Sequence, residues 1–264
     1  MISFDVYPNA CRCVLTASYD DGTIYDRRLT EIFNRYNIKA TFNLNSDRLG
    51  KHGFVGYDEV QSLYKGHEVA VHSKGHLFLD EHTPQNIYES VFEDRKELEK
   101  CSGQIVRGMA YPYGRYNDSV INAVSNAGIV YGRTCNSTGQ FKKPVNFLEW
   151  NPTCHHNKVF DYTDVFVSSV KSSLCSRIFY LWGHSYEFEE QNNWSLIEDF
   201  CEKMSALDNV WFATNIEIID YINAQKQLII SADEKQIYNP TSIDVWILKN
   251  GQPIKISAGK FFKE

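Results

Sequence analysis

The feature that most restricts the fold of this chain is an alternation of short apolar runs with amphipathic stretches long enough for helices. Apolar runs fall at 14–17, 39–45, 68–71, 104–110, 129–133, 147–150, 178–182 and 210–213. Between the first two, residues 23–37 put Ile24, Leu29, Ile32, Phe33 and Tyr36 on one stripe, the helical period. Thr83-Pro84 is an N-cap followed by proline at the first helical position, and opens a helix through Val91 and Leu98 to about Cys101. Further helices are predicted near 57–64 and 117–127, and Thr214 with Glu217 forms a capping box ahead of Ile218 and Tyr221. Strands separated by helices cannot pair as hairpins; they pair in parallel through right-handed crossovers. The expected class is therefore α/β, a deformed (β/α) barrel of about seven parallel strands.

After about residue 228 the pattern changes to runs at 228–230, 245–248 and 254–256 without helical periodicity, with Asn250-Gly251 as a type I′ hairpin signal. Residues 1–225 are thus assigned to the barrel and 226–264 to a small C-terminal β appendage, a hairpin packed on it.

Charge narrows the partners. Lys+Arg number 27 against Asp+Glu 33, so the net charge is 27 − 33 = −6, and no basic stripe is present to follow phosphates. Nucleic acid is not expected, and no stretch is long enough to insert in a membrane. The first residues lack a basic segment and a long apolar one, so a cytoplasmic location is expected, with a secreted mature form as the alternative. The 7 cysteines are odd in number and scattered, which suits buried free thiols in a reducing compartment.

In a barrel of this kind the reactive residues stand at the C-terminal ends of strands. Those ends carry Asp20-Asp21-Gly22, His72-Ser73-Lys74-Gly75-His76, Tyr111-Pro112-Tyr113-Gly114, Arg133, Glu149-Trp150 and Trp182-Gly183-His184. Two adjacent carboxylates repel and lose hydration, so a metal or an arginine is expected beside them. His72 and His76, four apart, can converge on one ion; two solvent-facing histidines would share that spacing, but the apolar strand before them and the acidic pair favour ligands. Two imidazoles and a carboxylate with an open position make a hydrolytic metal centre.

Tyr19-Asp20-Asp21-Gly22, His72-Ser73-x-x-His76, Tyr111-Pro112-Tyr113-Gly114 and Leu181-x-x-His184, in this order over 14–224, resemble the motifs of the NodB-homology polysaccharide deacetylases, carbohydrate esterase family 4. The resemblance implies that Asp21, His72 and His76 hold a divalent metal, zinc first with cobalt, manganese or nickel as alternatives. It implies that Asp20 is the general base, His184 the general acid and the Tyr113 backbone N–H an oxyanion donor. The implied activity is removal of acetyl groups from an N-acetylated sugar or oligosaccharide. An O-acetyl esterase or other C–N amide hydrolase of the same fold, or a non-catalytic carbohydrate-binding protein, are the alternatives. Oligomeric state is not legible.

The chain departs from that family pattern in ways that suggest a divergent branch. The arginine usual two residues before the third motif's proline is replaced by Ala110. Arg107 lies on the opposite side of an extended strand from Ala110, whereas Arg133 ends the next strand and is the candidate for orienting Asp20. Glu149-Trp150 replaces an aspartate and tryptophan; Trp150 is either an acetyl-pocket wall or core. His155 is a candidate substrate contact or an exposed loop histidine, and Glu187 either orients His184 or is a solvated helix entry. Tyr111, Pro112, Trp150, His155, Trp182 and Glu187 together form the expected substrate-binding set.

Overall fold

A computed structural model describes residues 1–172 and 176–264; the expected thiol of Cys175 lies outside the described residues. In chain order the elements are β1 (Ile2–Ser3), β2 (Cys13–Asp21), α1 (Asp26–Arg35), β3 (Thr41–Leu44), α2 (Val60–Leu63), β4 (Glu68–Val71), α3 (Pro84–Ser102), β5 (Gly108–Ala110), α4 (Asp118–Asn126), β6 (Tyr131–Arg133), β7 (Cys154–His155) and α5 (Val159–Ser172). They continue with β8 (Arg177–His184), α6 (Ser185–Glu190), α7 (Trp194–Ser205), β9 (Val210–Phe212), α8 (Asn215–Lys226), β10 (Ile229–Ile230), β11 (Gln236–Tyr238), β12 (Val245–Lys249), β13 (Gln252–Ile256) and β14 (Phe261–Lys263).

Strand β2 is the axle. Buried along almost its whole length, it has the apolar and small side chains that a strand covered on both faces requires. On one edge β8 pairs with it in parallel from Cys13 to Asp20; on the other, β9 takes Cys13–Leu15 and β3 takes Ser18–Asp21. The main path of the parallel sheet is β6-β5-β4-β3-β2-β8-β7, seven strands, with β9 beside β2. Its two edges approach each other through residues 150–155. Trp150 N–H donates to the Gly132 carbonyl (2.9 Å) and accepts at its own carbonyl from Thr134 N–H (3.1 Å), while Thr153 N–H donates to Tyr180 (2.8 Å). One short segment thus bridges β6 to β8 and curls the sheet into a deformed barrel.

That bridge corrects one expectation. Residues 147–150 are not a strand: 147–149 form a 3₁₀ turn, with the Asn146 side chain accepting from Leu148 N–H, and only Trp150 bridges Arg133. The strand that pairs with β8 is instead Cys154–His155. The predicted strand at 104–110 shortens to Gly108–Ala110, because the N–H of Val106 is taken by the Glu99 side chain rather than by a ladder.

Helix boundaries follow local chemistry. Thr83 Oγ accepts from Asn86 N–H at the start of α3, and Gly103 ends it in the left-handed region at φ 69°. The reciprocal capping box of Thr214 and Glu217 starts α8. Arg107 makes a forked ion pair with Asp220 of α8, away from the strand ends that carry the chemistry.

The appendage is two small antiparallel sheets, β1-β12-β13 and β10-β11-β14, rather than a single hairpin. The chain's first strand pairs with it, Ile2 opposite Lys249. Asn250 and Gly251 both have positive φ, 53° and 80°, as a type I′ turn requires. Val245, Ile247, Ile256 and Ile237 pack with Ala224 of α8 as a separate small core. Gln225 Nε2 donates to the carbonyls of Val6 and Trp246, fastening the appendage to that helix. Among the described residues no helix is long and apolar enough to cross a membrane.

Inside the barrel, Glu68 is buried and accepts from the Tyr131 hydroxyl (2.7 Å), the Thr41 hydroxyl (2.8 Å) and the Ile216 N–H (2.9 Å). Burial is the largest influence and outweighs these bonds, pushing its pKa up to about 7. Between the ordinary value of 4.5 and about 7 the native state therefore holds a proton that the unfolded chain has released. Stability from this group is complete below the lower value and is lost as pH rises through the upper one. Glu68→Gln, which imitates the protonated acid, is expected to flatten the fall in denaturation midpoint across that window. An unchanged pH profile in urea titrations would contradict this.

Candidate functional site

The site is built at the C-terminal ends of β2, β3, β4, β5, β6 and β8, where the chain turns sharply. Asp21, Ser73, His76 and Tyr113 all have φ between 49° and 77°, a region L-residues seldom occupy, and Gly22 follows at 68°. Such backbone costs on the order of 1–3 kcal/mol per residue and persists where the surroundings enforce it. At Gly22 the requirement is also steric, since a Cβ would lie 2.8 Å from Leu44 Cδ2. The left-handed turn at Asp21 sends the two neighbouring carboxylates to different partners.

Asp20 turns into the barrel. It forms a buried ion pair with Arg133 of β6, both side chains almost wholly inaccessible. Asn43 Nδ2 donates to its other oxygen (2.8 Å), and His72 Nε2 and His184 Nε2 each lie 3.9 Å away. Burial by itself would raise the Asp20 pKa; the charges of Arg133, His72 and His184 outweigh it and hold the group below the usual carboxylate range. Arg133 is covered on its other side by Trp182, 4.7 Å from its ring centre, whose indole N–H donates to Ser137.

Asp21 faces outward to Arg48, which donates to Oδ1 (2.9 Å), and to His76 Nε2 (3.8 Å). His72 Nδ1 donates to the Ala110 carbonyl (2.9 Å); a carbonyl only accepts, so the proton is on Nδ1 and the Nε2 lone pair points into the site. His76 Nε2 sits 3.1 Å from that atom. Two imidazole nitrogens this close need a cation or a proton between them. Burial pushes both imidazoles down, His76 to about 4, which favours neutral, ligating forms. The ligand atoms of Asp21, His72 and His76 all lie within 4.8 Å of one another, and this donor set fits a divalent ion.

On the far side, His184 Nδ1 donates to Glu187 (2.6 Å). Burial opposes protonation of His184, but Glu187, Asp20 and Asp21 outweigh it and raise its pKa above the ordinary value. Glu187 Oε2 also lies 3.2 Å from Nε2 of both His155 and His156.

Three members of the expected substrate set are buried. Trp150 is buried against Tyr180 (4.6 Å between ring centres) and Tyr131. Tyr111 is fully buried with its hydroxyl on the Leu148 carbonyl (2.8 Å), and Pro112 is buried in the adjoining turn. Trp182 and His155 are half-buried near His184. Tyr113 is 53% exposed and stacks on Phe78 (4.1 Å), its ring edge-on to His76. Sequence reasoning missed Asn43, Arg48 and His156. Asn43 could have been found by register, being opposite Asp20 at the end of β3; Arg48 sits in a turn with no periodic signal.

Residues 8–132 match the family model for polysaccharide deacetylase. YxkH of Bacillus subtilis strain 168, named as a polysaccharide deacetylase, is 27% identical over 136 residues, covering 51% of this chain and 48% of that protein. The peptidoglycan-N-acetylglucosamine deacetylase PgdA of Listeria monocytogenes is 27% identical over 113 residues, 42% of this chain and 23% of its own. This chain thus spans about half the length of the first relative and less of the second. A Mycobacterium smegmatis structure, named as a polysaccharide deacetylase, superposes with a TM-score of 0.66 at 16% identity, covering 83% of this chain and 93% of that one, a likeness of fold.

The Asp20–Arg133 pair generates a stability prediction. Arg133→Leu leaves a buried carboxylate without its counter-ion and is expected to cost about 3–5 kcal/mol in urea denaturation. Adding Asp20→Asn should recover part of that loss; a double variant no more stable than Arg133→Leu would show that the pair is not coupled.

Proposed function

We propose that this chain, whose residues 8–132 match the polysaccharide deacetylase family model, is a metal-dependent hydrolase removing acetyl groups from an N-acetylated sugar or oligosaccharide. The observation that carries this reading is the division of the acidic pair: Asp21 lies with His72 and His76, while Asp20 lies with Arg133 between two imidazoles.

In this reading Asp21, His72 and His76 hold the ion, zinc being favoured for two imidazoles and one carboxylate, with cobalt, manganese and nickel as the other candidates. When bound, such an ion supplies Lewis acidity to an acyl group and acidifies water. Asp20, kept ionised by Arg133, accepts the proton of the attacking water. Arg133 is a positioning residue that acts through Asp20. His184, protonated and oriented at Nδ1 by Glu187, delivers a proton from Nε2 to the departing amine as the C–N bond breaks. The Tyr113 N–H, in a turn forced into the left-handed region, is the proposed donor to the developing oxyanion. Trp182 and His155 flank His184 and are the proposed substrate contacts; the exposed Tyr113–Phe78 stack offers sugar rings an apolar face beside His76.

The test is acetate release from a panel of N-acetylated oligosaccharides and O-acetyl esters by the metal-loaded protein. Release from amides supports the deacetylase, release only from esters an O-acetyl esterase, and bound metal with no release a carbohydrate-binding protein. Asp20→Asn is expected to lower kcat by about 10²–10⁴-fold with metal content unchanged. Asp21→Asn is expected to lower metal occupancy itself. Equal metal content in the two variants would contradict the assignment.

A further inference from the structure

Beside His184 lies a second group of metal-ligating side chains that the proposed reaction uses only in part. His155 ends β7, His156 opens the turn after it, and Glu187 comes from the first turn of α6. Their ligand atoms lie within 4.8 Å of one another, with Glu187 Oε2 3.2 Å from Nε2 of each histidine. A tetrahedral ion with bonds of about 2.0–2.1 Å holds neighbouring donors about 3.3 Å apart.

His156 is the decisive residue. Its side chain is completely buried; Nδ1 makes no hydrogen bond, and Nε2 meets the protein only in a poorly aligned contact with Glu187 Oε2 (3.2 Å). Buried polar atoms are normally paired, and one left without a bond calls for a ligand. The ring is not loosely placed. It is stacked between Phe188 (4.2 Å) and Tyr19 (5.9 Å), and Gly183 of β8 makes room for it: a Cβ there would stand 2.0 Å from His156 Nδ1. The surroundings thus hold an imidazole edge against the Glu187 carboxylate. His155 Nε2 faces Glu187 Oε2 (3.2 Å); for it to take an ion the ring proton must sit on Nδ1, so the long contact from Asn157 N–H (3.4 Å) is given up.

We infer that His155 Nε2, His156 Nε2 and Glu187 Oε2 form a second divalent-cation site, suited to zinc by its two imidazoles and one carboxylate. It is separate from Asp21, His72 and His76. It meets the proposed active site at two residues: His155 holds the ion rather than contacting substrate, and Glu187 Oε1 keeps its bond from His184 Nδ1 while Oε2 takes the ion. A cation there fixes Glu187, and through it His184, against the turn after β7.

The test is zinc stoichiometry of the whole chain, by elemental analysis after dialysis and by calorimetric titration of the stripped protein. About two ions per chain are expected in the wild type, and about one in His156→Phe, whose ring suits the same aromatic slot. Because that variant replaces a buried ring, the half-buried His155→Asn is measured alongside and should lose the same ion. His72→Asn should lose the other, and combining it with His155→Asn should lose both. Cobalt loaded into His72→Asn should give a visible d–d band that His155→Asn abolishes. A wild-type stoichiometry of one that His72→Asn abolishes, or two ions retained in both His155→Asn and His156→Phe, would overturn the second site. One ion lost with His155→Asn but kept in His72→Asn would support it and instead sink the Asp21–His72–His76 reading.

Discussion

The buried ion pair between Asp20 and Arg133 is the constraint on which the rest of this site depends. Asp20 ends the central strand and Arg133 ends a strand at the sheet's edge, so the pair ties the axle of the barrel to its rim. Two charges removed from water are tolerated only when they satisfy each other and their remaining hydrogen-bonding capacity. Asn43 meets the second oxygen of Asp20, and the Trp182 ring covers the guanidinium. The result is a carboxylate ionised in a dry place with two histidines within 4 Å of it.

Around that pair the backbone is held in conformations that its residues would not choose. Asp21, Ser73, His76 and Tyr113 lie in the left-handed region at the ends of three different strands. A regular strand would alternate the side chains of Asp20 and Asp21 across the sheet; the left-handed turn instead brings Asp21 round to His76 and Arg48. Asn45 steadies the opposite side, its amide donating to the carbonyls of both His72 and Ser73 at 2.7 Å. The packed helices that bury β2, β3 and β4 stabilise the fold sufficiently to hold these turns.

The amino-acid order by itself determined the alternation of strands and helices, and with it a parallel sheet whose chemistry collects at one end. It also determined which residues could do chemistry there, because Asp20-Asp21, His72-x-x-x-His76 and His184 are local patterns read from spacing. Capping at Thr83 and Thr214 was legible for the same reason, being a matter of three or four consecutive residues.

Only the tertiary structure decided what depends on contacts between distant segments. Whether Trp150 faces a pocket or the core turns on its bridging of β6 near β8, which no window of sequence contains. The same holds for β1, which pairs with a strand more than two hundred residues away, and for the choice of Arg133 over Arg107. Both arginines precede or end short strands, but one meets Asp220 on the outside and the other meets Asp20 within. His155 and His156 are neighbours of equal chemistry in the sequence. Burial against Tyr19, Phe188 and Gly183 makes the second an imidazole fixed beside Glu187, because a side chain's environment is set by what folds over it.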